Sequence, residues 1–117
     1  MGVKVITGAG RREKLEAELK RMLPLLEAQG VEKIILIGSM AEGHIGATSD
    51  LDLIVIHRTS QRFLDRLDTF YRLLAPRVAL DLLVYTPEEF QEMARTSSFV
   101  RAAQRRGKVL YEAGSAG

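Results

Sequence analysis

The stretch ILIGSMAEGHIGATSDLDLIVI, residues 35–56, constrains the fold more than any other part of the chain. Two apolar, largely β-branched runs flank a linker rich in Gly and Ser, and the second run opens with two aspartates, Asp50 and Asp52, one residue apart. Runs that stay apolar over consecutive positions form strands when both faces of their sheet are covered. A carboxylate held in such a strand loses hydration and needs something positive to compensate it. The pair therefore has a purpose or a partner.

The flanking segments supply the layers that would cover those strands. Upstream, Leu15, Leu19, Met22, Leu23 and Leu26 recur at spacings of three and four, which predicts an amphipathic helix from Arg11 to about Ala28, kinked at Pro24 and ended at Gly30. VEKIILIG predicts a strand over 31–38 and LDLIVIH another over 51–57. QRFLDRLDTFYRLLA sets Phe63, Leu67, Phe70, Tyr71 and Leu74 on one helical stripe that stops before Pro76. VALDLLVY predicts a third strand over 78–85, and it carries a third aspartate, Asp81.

Beyond it, Thr86 followed by Pro87, Glu88 and Glu89 is a helix start: a capping hydroxyl, a proline in the first turn and carboxylates at the positive end of the dipole. FVRAAQRR predicts a further helix ended by Gly107. KVLYE fits a short closing strand, running into a partly disordered tail over 110–117. The opening VKVIT fits either a strand or an arm. This order predicts one α/β (α+β) domain over 1–117, a small mixed sheet flanked by helices.

A chain of 117 residues can hold a single core without a disulfide or structural metal. It has no cysteine, which excludes disulfides, thiolate zinc sites and thiol catalysis, and fits a reducing compartment. No signal peptide or membrane span is visible, so a cytoplasmic location is expected. The formal charge of +2 gives no bulk argument for nucleic acid. Arg95, Arg101, Arg105, Arg106 and Lys108 cluster near the end, and read first as a solvated helical face.

Residues two apart on a strand share a face, so Asp50 and Asp52 project together, roughly 6.6 Å apart along the chain. No basic residue lies near them in sequence, whereas a hard divalent cation such as Mg²⁺ accepts carboxylate oxygens and leaves positions for phosphate. If the third strand neighbours the second, Asp81 joins them, and three such carboxylates suit a two-metal phosphoryl-transfer site in which the third also takes a proton. The competing reading makes Asp50 a cap or turn residue and pairs Asp52 and Asp81 with arginines. Gly38 and Ser39 weigh against it. A strand ending in Gly and running into a short helical turn, SMAEG, offers backbone N–H groups and a hydroxyl to a phosphate.

Gly38-Ser39, ten intervening residues and then Asp50-Leu51-Asp52 resembles the signature of the polymerase-β-like nucleotidyltransferases. The small size resembles their minimal stand-alone branch, the MNT proteins, and the Gly-Lys-Val-Leu-Tyr ending is similar to theirs. The resemblance implies that Gly38, Ser39 and Ser49 hold the triphosphate of ATP or another NTP, that Asp50, Asp52 and Asp81 bind Mg²⁺, and that Asp81 completes the catalytic set. It also implies a partner, because minimal members are commonly paired with small helical HEPN-type toxins, which some of them neutralise by transferring AMP. The chain departs from the family at Glu42, which stands where an arginine is often found; a carboxylate cannot neutralise phosphate.

Three other features invite a functional reading. VKVITGAGRREK imitates a dinucleotide fingerprint, but Glu13 replaces its third glycine and the next strand ends at Gly38 rather than at an acidic residue. His44, alone among glycines, reads as a solvated loop residue. Phe99 and Tyr111 read as caps of this domain's own core or as a docking patch for a partner. Since nothing after Asp81 is long enough for an acceptor domain, the alternative to an enzyme is a binding module that neutralises a helical partner by complex formation.

Overall fold

The computed structural model describes residues 8–46 and 49–114, so the VKVIT segment and the last three residues of the tail lie outside the described chain. Helix α1 (Gly8–Ala28) starts earlier than expected and continues through Pro24 as one helix. Pro24 lies on its exposed side, where water can satisfy the carbonyl that the ring leaves without an N–H partner. Gly30, at φ 79°, turns the chain into strand β1 (Lys33–Ile37). Helix α2 (Gly38–Glu42) is a single turn, and strand β2 (Leu51–Ile56) follows the loop after it.

Helix α3 (Phe63–Leu74) then crosses to strand β3 (Leu80–Tyr85), and helices α4 (Pro87–Thr96) and α5 (Ser98–Arg106) lead into strand β4 (Lys108–Glu112). The strands order as β3-β2-β1-β4, with β2 and β3 parallel and the other pairs antiparallel, which is the mixed sheet expected. The parallel pair is possible because α3 provides the long crossover such strands require. Two limits differ from expectation. β1 is shorter than 31–38, since Gly38 already belongs to α2, and Leu110, Tyr111 and Glu112, placed in the tail, form the end of β4.

Strand alternation divides the core in two. Ile34, Leu36, Leu51, Leu53, Val55, Leu82 and Val84 face Leu15, Leu19, Met22 and Leu26 of α1 with Phe70 and Leu74 of α3. Ile35, Ile54, Ile56 and Tyr85 face Phe90 of α4 with Val100 and Ala103 of α5. Each such side chain, fully buried, contributes roughly 1.5–3 kcal/mol, so covering both faces accounts for the continuous apolar runs of β1 and β2.

Two buried charges tie the elements together. Glu18 accepts from the Arg21 guanidinium at 2.7 and 2.9 Å and from the Arg77 N–H, while Arg21 donates to the Leu74 and Ala75 carbonyls. This joins α1 to the C-terminus of α3, where Ala75 adopts φ 41°. Arg66, on the inner side of α3, donates to the Glu89 carboxylate at 2.6 Å and to the Val84 and Gln61 carbonyls. Thr86 and Glu89 form the expected cap of α4 as a reciprocal box.

Candidate active site

The site lies where β1 ends and β2 and β3 begin. The parallel register sets Asp52 opposite Asp81, and the antiparallel register sets Asp52 opposite Ile37. Asp52 alternates with Leu51 and Leu53, so it shares the sheet face of Ile54 and Ile56, toward α4 and α5. Gly38 follows Ile37 at φ 76°, and a Cβ built there would collide with the Asp52 carboxylate. Glycine is required at this position twice over, for its backbone conformation and for the space that Asp52 fills.

Burial and the neighbouring acid act together on Asp52. Desolvation comes first, followed by hydrogen bonding to Asp81 and the charges of Asp81 and Asp50, and its pKa is pushed from 3.8 up to about 6.

Asp50 is placed differently. It precedes β2, and its carboxylate lies 3.7 Å from the guanidinium of Arg11, whose Nε also donates to the Ser49 carbonyl at 2.8 Å. The compensating cation that the local sequence lacks thus comes from the start of α1. Ser49 is engaged within its own loop, its hydroxyl accepting from the Gly46 N–H at 2.9 Å. Ser39 sits in the first turn of α2, its carbonyl accepting from Gly43 and His44, and its hydroxyl has no partner among the described residues. His44 is exposed, as expected of a solvated loop residue.

Asp81 is exposed rather than buried, because β3 is an edge strand and its outer end opens to solvent. Its backbone is nevertheless held. The Tyr71 hydroxyl donates to the Leu80 carbonyl at 2.6 Å and accepts from the Leu82 N–H at 3.1 Å, bracketing Asp81 on both sides. Sequence reasoning put Tyr71 on the core stripe of α3 and missed this role. The only signal was its hydroxyl, since a buried phenol needs a partner.

A cleft of about 590 Å³ opens over these residues. Gly38, Asp52 and Asp81 form one side, Glu42 contributes a further carboxylate, and Phe99, Ala102, Ala103 and Arg106 of α5 form the opposite wall. The basic cluster near the C-terminus is solvated as expected, but Arg106 also faces this cleft. Tyr111 packs against the core, whereas Phe99 does not and is 47% exposed.

Among the described residues no three His, Cys, Asp or Glu side chains converge as a ready-made metal cage. Asp52 and Asp81 are nonetheless a fitting donor pair for a hard cation: two carboxylates in register, whose charge a cation would stabilise against the burial and repulsion that raise the Asp52 pKa. Asp50 stands beside them, its carboxylate paired with Arg11.

A mixed α/β sheet with paired aspartates at the head of its parallel strands, beside a glycine turn from the adjacent strand, is the nucleotidyltransferase fold. The family model for polymerase beta nucleotidyltransferases matches residues 18–115, and the chain belongs to that family. The fold is also similar to the crystal structure of a Sulfolobus solfataricus protein provisionally assigned as a nucleotidyltransferase. The TM-score is 0.68 at 16% identity, over 98% of this chain and 95% of that one. No curated protein matches the sequence.

Proposed function

We propose that the protein transfers a nucleoside monophosphate, AMP from ATP, to a hydroxyl on a small helical partner of the HEPN type, and so acts as an antitoxin of the MNT branch. The observation that carries the catalytic part is the Asp52–Asp81 pair in register beside Gly38. The partner is carried by the resemblance to minimal family members. An exposed cleft whose acidic side is open to solvent at Asp81 leaves room for an acceptor brought by another molecule.

In this reading Gly38 and Ser39 receive the triphosphate at the first turn of α2, with Ser49 holding the loop that precedes the aspartates. Mg²⁺, held by Asp52 and Asp81 and by Asp50 once released from Arg11, would supply the charge neutralisation that phosphate needs beside three carboxylates. Asp81, at the open rim, takes the proton of the acceptor hydroxyl. The hydroxyl oxygen attacks the α-phosphorus in line, an O–P bond forms, and pyrophosphate leaves with the electrons of the broken bond. Positioning and charge neutralisation account for most of such catalysis.

Calorimetric titration with ATP, with and without Mg²⁺, tests the reading, alongside the Asp50→Asn/Asp52→Asn double variant. Metal-dependent binding that the variant loses supports it, and absence of ATP binding by the parent overturns it. The Arg11–Asp50 ion pair and Glu42 in the cleft favour a second reading, a catalytically weak module that neutralises its partner by complex formation alone. Partner binding that persists in the double variant, with no pyrophosphate released by the parent, would establish that second reading.

A further inference from the structure

We propose that one face of α5 is the nucleotide-reading wall of the cleft, with Phe99 stacking on the base and Arg106 binding the phosphates. This rests on the nucleotidyltransferase reading and goes beyond it, since neither residue belongs to the motif that identifies the family.

Three observations carry it. The first is charge. Glu42, Asp52 and Asp81 all line the cleft, and among the described residues that line it Arg106 is the one cation. The Arg106 side chain has no ion pair or hydrogen bond to any described residue, unlike those of Arg11, Arg21, Arg58 and Arg66, each of which is held by a carboxylate. A polyanion entering an acidic cleft needs a cationic contact, and a planar guanidinium suits phosphate oxygens.

The second is placement. Residues 99, 102, 103 and 106 share one helical face, so Phe99 and Arg106 stand about 10 Å apart along the axis at ~1.5 Å per residue, with only Ala102 and Ala103 between them. An aromatic at one end, a cation at the other and a low floor between them match a ligand that is a flat base at one end and anionic at the other.

The third is direction. Gly107, next to Arg106, packs against Ile35 and Ile37, and Gly38 follows Ile37. The cationic end of α5 is therefore anchored at the end of β1, beside the turn that faces Asp52. Phe99 is 47% exposed although it borders a cleft, which leaves its ring face available for stacking.

The test measures affinities of ATP, ADP, AMP and adenosine, with Mg²⁺ present, for the parent, Arg106→Ala, Arg106→Lys, Phe99→Ala, Phe99→Tyr and Arg105→Ala. Both target side chains are exposed, and equal melting temperatures confirm that each variant folds. Arg106→Ala should weaken ATP roughly tenfold to a hundredfold, ADP less, and adenosine not at all. Arg106→Lys should recover part of that loss. Phe99→Ala should weaken ATP and adenosine alike, by roughly tenfold, and Phe99→Tyr should restore both. Arg105→Ala, outside the cleft, should change nothing. Failure of the parent to bind ATP overturns the nucleotidyltransferase reading itself. Parent binding that neither Arg106→Ala nor Phe99→Ala alters, or that Arg105→Ala alters equally, overturns only the role of α5.

Discussion

Asp52 and Asp81 stand in register across the parallel β2–β3 pair, and the fold resists the ionisation of Asp52. Its folded-state pKa of about 6 lies above the ordinary 3.8. The stability it contributes is therefore fully present below pH 3.8 and is lost as pH rises through about 6. Asp52→Asn should remove that loss and raise stability at pH 7.5 in chelator by on the order of 1–2 kcal/mol, allowing for solvent screening at a half-exposed site. The gain should vanish near pH 4, and Mg²⁺ should raise the melting temperature of the parent alone. Urea denaturation across this pH range checks it; a variant less stable than the parent at pH 7.5 refutes it.

Gly38→Ala and Gly43→Ala separate backbone strain from the fit against Asp52. Both glycines have positive φ, 76° and 81°, but among the described residues only a Cβ at Gly38 would meet another group. Gly43→Ala should cost about 1–2 kcal/mol from the left-handed conformation alone. Gly38→Ala should cost more, and should also weaken Mg²⁺ and ATP binding because Asp52 must move. Equal losses in the two variants would show that Asp52 yields freely.

Tyr71→Phe should leave the core intact while freeing the Leu80 carbonyl and the Leu82 N–H, at a cost of about 1–3 kcal/mol. Tyr71 is a positioning residue, so the informative readout is local. Amide exchange at Leu82 should accelerate and nucleotidyl transfer should fall, while ATP affinity changes little. Unchanged exchange at Leu82 would contradict the bracket.

Glu18 sets an acid limit. The Arg21 guanidinium lowers its pKa from 4.5 to about 2, against the opposing effect of burial and with help from the Arg77 N–H. The stability so gained is present above pH 4.5 and is lost as pH falls through about 2, the reverse of Asp52. Glu18→Gln should lose about 1–2 kcal/mol at pH 7, after allowance for screening, and should show a flatter acid limb of stability between pH 4.5 and 2. Parallel limbs for parent and variant would refute it.

Local pattern made the element order and the family motif legible, because both depend on residues close in sequence. Apolar runs in LDLIVI and LDLLVY gave the strands, and Thr86 with Glu89 gave a helix start that the structure repeats as a capping box. What could not be read depends on pairing. That Asp81 is exposed follows from β3 lying at the sheet edge, and that Asp50 meets Arg11 follows from where α1 begins. The cleft wall was hidden for the same reason: Arg106 looked like one more solvated cation until the packing of Gly107 placed it beside Gly38. The expected stripe of α3 packs on the core, but the burial of Arg66 beside it could not be read, since a buried arginine is stable only beside carbonyls and a carboxylate supplied by β3 and α4.

The placement of α5 can be tested at Gly107. Its backbone is extended, at φ −72° and ψ 159°, so any residue could adopt the conformation and only space demands glycine. A Cβ there would meet the Ala103 carbonyl oxygen and lie 2.6 Å from the Cγ2 of Ile35. Neither neighbour is the free end of a flexible side chain: one is the last-turn backbone of α5, the other a buried β-branched residue of β1. Gly107→Ala should therefore push the end of α5 from the sheet, at about 1–3 kcal/mol of overpacking cost. Because Arg106 moves with it, ATP affinity should fall while adenosine affinity is retained. Gly46→Ala, where no described residue lies near the added Cβ, should leave ATP affinity unchanged and lower stability far less. Equal stability of the two variants would mean that α5 is not seated against β1 through Gly107.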